Sequence, residues 1–475
     1  MQRILLDLFK DKMGMAGIAA IVFVVAVALT GFWGTPGPVC CDAVSYGQLA
    51  AAYQRDGLLT PHEVAKIRTY LYPAILALIQ APERLSSARA GAYDPVVFYW
   101  QALLFLTAVL SLSLAVRRFG IAAQASVIIG LLLNIFVLVY IPVRLTEILS
   151  LACFILIIAA AVELAGADLN LRRKPVTLFL CGSFLVGASV MVRPANIALA
   201  PCWILFALVY LWRLVRSCGG AKEIWKIVGL GMVGVMMFGM PLVPQWLINT
   251  VVFERSTIFP VVELGSQQLA WGITHIKYVT LITQEGARGL IYPNPFLIDS
   301  ARYIKEPLLY YIENPFSGLM TIILHLFNSV TFDYLHPYVT DLRPWYLPAI
   351  LAANHFVVFS GLVVGACLIH RRLQHWRTRG ARLQLHDTWW LLLCLALAAI
   401  CVLNSFVAVE SRFGLPVIAV LGPLACYGLF SLALHTSRRR RTAFALSALA
   451  YVLAAEAVSF WMLDLALSQS AVSGA

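Results

Sequence analysis

Charge is what this chain has least of. Only 12% of its 475 residues are Asp, Glu, Lys or Arg, against about 25% in ordinary soluble domains. With 61% hydrophobic residues, too little polar surface remains to coat a water-soluble protein of this length. Short catalytic signatures are missing too. There is no P-loop, HExxH or GxSxG sequence, which removes the phosphate cradle, the zincin helix and the nucleophile elbow. The lack of DxD weighs weakly against a metal-dependent enzyme using a nucleotide sugar. The ten cysteines form no CxxC and no Cys/His set at zinc spacing, so buried free thiols are the default and no metal site is expected. Cys40 and Cys41 are adjacent, a strained geometry for a disulfide, and free thiols are the simpler expectation.

What the chain does have is apolar runs of the length that crosses a hydrocarbon core, about 18–22 residues for roughly 30 Å. Read this way it is an all-α polytopic membrane protein with about eleven spans, near 13–33, 95–115, 121–140, 146–166, 177–192, 195–212, 226–245, 346–369, 388–407, 413–434 and 443–463. The first run lacks a small-residue cleavage pattern and reads as an uncleaved span. The net charge of +12 falls in short connections between spans, a topology signal and not a nucleic-acid groove. Arg117-Arg118, Arg172-Arg173-Lys174, Arg213 to Lys226, Arg371 to Arg382 and Arg438 to Arg441 all lie in alternate connections, as do Arg3, Lys10 and Lys12. That set is cytoplasmic by the positive-inside rule, and so is the N-terminus.

The opposite set holds two long loops, 34–94 and 246–345, which divide the chain into 1–245, 246–345 and 346–475. In the first loop, Ala43–Asp56 and His62–Gln80 read as amphipathic helices broken at Gly57. In the second, Phe316–Phe332 reads as a helix lying along the interface.

Gly229-Leu-Gly231-Met-Val-Gly234 matches GxGxxG, but a dinucleotide site needs a strand before the glycines. Here they lie inside a span, where small residues let helices approach, and Gly361 and Gly365 read alike. More telling are ionisable residues at the outer ends of spans, where charge is costly and tends to pair or serve a site. Asp42 precedes Tyr46, Leu49 and Tyr53 on one helix face. It fits either a helix cap or a general base taking a proton from an acceptor hydroxyl. Arg68-Thr-Tyr70-Leu-Tyr72-Pro73 fits an interfacial anchor or a lipid-phosphate site. Arg144 and Glu147, spaced i, i+3, either pair with each other or serve the site. Arg193 and the Glu410/Arg412 pair complete the set. His355 reads as a packing residue within a span.

Five segments resemble, in order, those of the GT-C superfamily of membrane glycosyltransferases, in particular the bacterial aminoarabinose, galacturonic acid and protein mannosyl transferases. Asp42…Ser45-Tyr46…Leu49-Ala50 resembles the family's first-loop acidic motif. Arg68…Tyr72-Pro73 resembles its Arg-x-Pro-x-Tyr-Pro element, with Tyr70 in place of the first Pro. Glu147 resembles the acid opening the fourth span, and Arg193-Pro-Ala-Asn196 the Arg-Pro-Asn turn. Tyr311-Ile-Glu-Asn314-Pro315 resembles a stretch of the long loop, with His325 and Asn328 where the family often has a basic residue.

The resemblance implies a sugar donor on a polyprenyl phosphate, a glycolipid, glycan or protein acceptor, and inversion at the anomeric carbon. It implies a bacterial inner-membrane protein with a periplasmic site. Asp42 would be the catalytic base, Arg68, Arg144, Arg193 and Arg412 would hold the donor phosphate, and Tyr46, Tyr72 and Glu147 would line the substrate. No cofactor is implied, and a divalent metal is left open. The rival readings are a transporter or lipid flippase, a polymerase or ligase using a diphosphate-linked donor, and a non-catalytic scaffold. The gathering of charge at the outer surface, not mid-span, speaks against a transporter.

Overall fold

The computed structural model describes residues 40–81, 94–167, 171–217, 220–260, 264–283, 286–297, 300–379, 385–407 and 409–473, and before them only Gly17, Ala19, Phe23 and Val24. Eight described helices are long and apolar enough to cross a membrane, or nine if Ala221–Gly239 and Val243–Val252, which meet at 51°, form one broken span. The chain is a multi-pass membrane protein. The eleven expected spans are not all met among the described residues. The span at 13–33 lies almost wholly outside them, and the one at 121–140 is a short helix, Ile121–Leu132, followed by the single turn Ile135–Leu138.

In chain order, α1 (Cys41–Asp56) and α2 (Leu71–Ile79) form the first loop. The membrane helices that matter most below are α3 (Pro95–Val116), α4 (Ile121–Leu132), α5 (Glu147–Gly166) and α6 (Arg173–Val192). The second loop holds strands β1 (His275–Thr283) and β2 (Gly286–Pro293), helix α7 (Pro315–Val330) and the short strand β3 (Tyr338–Val339). Then come α8 (Leu347–Arg379), α9 (Leu385–Phe406), α10 (Leu415–His435) and α11 (Arg438–Ser473).

Helix α5 is the axis of the bundle. Its sequence is apolar on all sides, which suits a helix enclosed by others, and it packs against α3, α6, α9 and α10. Small residues set the closest approaches. A Cβ on Gly130 of α4 would meet Pro423 N of α10 at 2.4 Å, and one on Gly361 of α8 would meet Leu421 O at 2.6 Å. Gly229, Gly231 and Gly234 lie on the helix Ala221–Gly239 with no strand before it, and a Cβ on Gly234 would press on the Phe179 ring. The GxGxxG match lies within a helix, and of its three glycines Gly234 makes the close packing contact.

The first loop follows the sequence reading closely. Helix α1 ends at Gly57, whose φ of 82° suits glycine, and α2 is shorter than the run 62–80. In the second loop, α7 is inverted relative to a soluble helix. Its Thr321, His325 and Asn328 are buried, while Phe316, Leu319 and Ile323 are exposed, as a helix facing lipid requires.

The sequence reading expects only helices there, and the structure adds a three-stranded sheet, ordered β2-β1-β3. This sheet positions the site. Lys277 of β1 is buried and pairs with Asp333 at 2.6 Å, and its ammonium also reaches Thr331 O at 3.3 Å. That same carbonyl accepts from Ser411 Oγ at 2.9 Å, and Tyr278 N donates to Val409 O at 3.0 Å. The segment 409–412 is therefore strung between β1 and the end of α7. Gly414 closes the contact, because a Cβ there would stand 1.5 Å from Ser329 O.

Gly414→Ala is expected to lose about 1–3 kcal/mol through forced overpacking. Gly229→Ala, with nothing within 4 Å of its Cβ, is expected to be neutral or slightly stabilising. Thermal unfolding of the two purified variants checks both expectations.

Candidate active site

The site lies at the end of the bundle where α1, α2, α5, the close of α6 and the 410–414 turn converge. Asp42 sits in the first turn of α1, and Tyr46 follows one helical turn later on the same face. The helix makes no side-chain cap. Instead the Asp42 carboxylate accepts from two guanidiniums, that of Arg68 and that of Arg412, the latter at 2.9 Å. Burial pushes the Asp42 carboxyl up, but Arg412 and Arg68 outweigh it and hold the group below its ordinary value. Arg68 also lies over the face of Tyr46, 5.3 Å from the ring centroid, and Tyr46 meets Tyr72 edge to face at 5.2 Å. Tyr70, next in the same segment, is an anchor. Its N–H donates to Gln245 Oε1 at 2.8 Å and its hydroxyl to Pro241 O at 2.9 Å.

Arg412 is the hub. Besides Asp42 it contacts Glu147 at 3.3 Å and Glu410 through its Nε. Glu147 opens the axial helix α5, where the helix dipole favours a carboxylate. Arg193 comes within 3.7 Å of Glu147 and lies over the Phe413 ring at 4.6 Å. The turn that carries it is held by Asn196, whose N–H donates to Arg193 O at 2.9 Å and whose side-chain amide donates to Ser150 Oγ at 2.8 Å and Ser189 O at 3.0 Å. Burial pushes the Glu410 carboxyl up, opposed by Arg412.

Six of the eight residues singled out from the sequence thus form one contiguous set: Asp42, Arg68, Tyr46, Glu147, Arg193 and Arg412. Tyr72 joins it through Tyr46. Arg144 is different. It does not need Glu147 as its i, i+3 partner, because residues 141–146 are turns and not a helix. Its guanidinium reaches Asp94 at 3.3 Å, with both side chains buried. Asp94 also accepts from Val96 N at 3.0 Å at the start of α3 and from Gln80.

No protein-family model matches the chain, and no curated protein matches it. Among solved structures it is similar to ArnT from Cupriavidus metallidurans bound to undecaprenyl phosphate. The two are 14% identical, the match covers 91% of this chain and 62% of that one, and the TM-score is 0.48. It is also similar to the archaeal oligosaccharyltransferase AglB from Archaeoglobus fulgidus, in complex with an inhibitory peptide and a dolichol-phosphate. There the identity is 12%, the coverage 95% and 56%, and the TM-score 0.45. The chain thus spans less than two thirds of either structure, and the likeness is one of chain path.

Several functional candidates escape a sequence reading. Asp94 carries a signal, an Asp before a Pro that opens an apolar run. His336 carries none. It lines a cavity of about 30 Å³ with Tyr140, Tyr278, Tyr334, Glu410 and Arg412, and neither of its ring nitrogens has a partner. The same holds for three atoms in the main set, Arg68 Nε, Tyr72 Oη and Glu147 Oε2. Buried polar atoms are nearly always paired, and these four residues lie beside the matched ion pairs of the set. No group of three or more His, Cys, Asp or Glu able to hold a metal occurs among the described residues. Cys40 and Cys41 are both free thiols.

Removing the hub leaves three buried carboxylates short of a partner. Arg412→Met is expected to cost about 3–5 kcal/mol near neutral pH. Because Asp42 is depressed in the fold, its contribution is present above the ordinary Asp value and lost as pH falls through the lower folded value. The gap between wild type and variant should therefore narrow below about pH 4, as read by thermal unfolding across a pH series.

Proposed function

We propose that the chain is an inverting glycosyltransferase of the GT-C kind, moving a sugar from a polyprenyl monophosphate to a lipid, glycan or protein acceptor at the periplasmic face of a bacterial inner membrane. The observation that carries this reading is the convergence of Asp42 with Arg68, Arg193 and Arg412 at one end of a membrane bundle. The donor class comes from the sequence resemblance. The undecaprenyl phosphate and dolichol-phosphate bound to the two similar structures are lipid phosphates of the same chemical type.

The chemistry follows from where charge develops. Displacement at the anomeric carbon breaks the bond to the phosphate oxygen and leaves negative charge on the phosphate. Guanidiniums preorganised in a water-poor site stabilise that charge best, and their paired donors suit phosphate geometry. Arg68 and Arg412 are the phosphate ligands in this reading, with Arg193 beside them. Arg144, bound to Asp94, orders the loop below the site. Asp42 takes the proton of the acceptor hydroxyl as the new glycosidic bond forms.

A carboxylate clamped by two guanidiniums is a weak base. The donor phosphate competes for those same guanidiniums. Its arrival loosens Asp42 and raises its proton affinity, so the base becomes effective only when the donor is in place. The three arginines face three carboxylates, Asp42, Glu147 and Glu410, so the arriving phosphate competes with acids already in place.

Two rivals make different demands. A transporter needs no base at position 42, and a diphosphate-linked donor needs more cationic contact. The reading is tested with purified protein, polyprenyl monophosphates and diphosphates carrying labelled sugars, and an envelope-lipid acceptor fraction. Asp42→Asn should lose about 10²–10⁴-fold in transfer rate while remaining folded. A wild-type rate for that variant, or use of the diphosphate donor alone, contradicts the proposal. Mass spectrometry of envelope glycolipids with and without the gene then names sugar and acceptor.

A further inference from the structure

At the end of the bundle away from Asp42, the helices do not close. A cavity of about 550 Å³ lies among α3, α4, α5, α8, α9 and α10. A dry engineered cavity is typically near 150 Å³, whereas pockets of roughly 300–1,000 Å³ ordinarily hold a ligand. Its wall runs along α5 from Phe154 to Val162 and along α10 from Ala419 to Tyr427. Both stretches are about 12 Å long at helical rise, so the space is a shaft parallel to the membrane helices.

The lining is almost wholly apolar, with Ser126 of α4 the one uncharged hydroxyl besides Tyr427, and it contains no carboxylate. At its mouth stand two consecutive cations, Arg371 and Arg372 of α8. Arg371 is exposed and has no hydrogen bond or ion pair among the described residues. Arg371 lies 24 residues beyond Leu347, where α8 begins. At helical rise that is roughly 36 Å, past a hydrocarbon core of about 30 Å and into the headgroup layer. Trp389 and Trp390 line the same mouth, and tryptophans favour that depth.

An apolar shaft with two consecutive arginines at its mouth and no carboxylate in its lining matches one molecule in shape and charge. We propose that this cavity holds an acyl chain of an anionic phospholipid, drawn from the leaflet on the basic side of the membrane, with its phosphodiester against Arg371 and Arg372. Basic pockets between membrane helices on that side recognise anionic headgroups, and a guanidinium suits the phosphodiester. The lipid would wedge α4 and α9 apart beneath the axial helix, filling volume that the short helix α4 leaves open. The proposal is independent of the chemistry assigned to Asp42.

The probe is phosphatidylglycerol brominated in its acyl chains, titrated into nanodiscs of phosphatidylcholine containing the full chain, with tryptophan fluorescence as the readout. Quenching is expected to saturate at low mole fraction and to fall by most of its amplitude in the double variant Trp389→Phe, Trp390→Phe. Arg371→Ala with Arg372→Ala, on an exposed helix end, should raise the half-saturating mole fraction at least tenfold. Ala123→Trp, which fills the shaft, should abolish the saturable phase. Brominated phosphatidylcholine should give no saturable phase. Equal saturation by both lipids, or an unchanged titration in the arginine double variant, would overturn the assignment.

Discussion

Everything at the Asp42 end of this molecule depends on one guanidinium in contact with three carboxylates. Arg412 meets Asp42, Glu147 and Glu410, residues supplied by the first loop, the axial helix and its own turn. Desolvating one cation costs several kcal/mol, and the attraction offsets that only if all partners arrive together. The surrounding architecture meets that demand. The buried Lys277–Asp333 pair and the β1 bridge to Val409 fix the turn, Asn196 ties the backbone after Arg193 to Ser150, and Tyr70 moors the Arg68 segment to Pro241 and Gln245.

The two ends of the bundle carry opposite kinds of chemistry. Around Asp42, acids and bases are matched, with several polar atoms left over. At the far end, basic connections gather around large spaces. Arg117, Arg118, Arg172 and Lys174 border one of about 530 Å³, and Arg371 and Arg372 border the apolar shaft. The axial helix α5 joins the ends, opening with Glu147 at the site and closing beside the basic loops.

Much of the site was legible in the sequence because charge in a membrane protein is too costly to be idle. Asp42, Arg68, Glu147, Arg193 and Arg412 stand out at the ends of apolar runs, and the structure brings them together. Their partners were harder to read. Helical spacing suggested Arg144 with Glu147, but the chain between them is turns, so i, i+3 does not place them on one face. Asp94, fifty residues away, is a buried partner of Arg144. The sheet was missed because β1 and β2 lack clean alternation, and β2 contains two glycines. Its pairing with β3 is non-local, which no local pattern can show. Position alone favours Asp42 as a helix cap, whereas its carboxylate faces two arginines.

The most direct test of this account is a cryo-electron microscopy structure of the chain in nanodiscs with a polyprenyl monophosphate bound. The phosphate should lie within hydrogen-bond reach of Arg68 and Arg412, with Asp42 released from at least one of them and turned toward open space. A phosphate bound elsewhere, with Asp42 still held by both arginines, would contradict it.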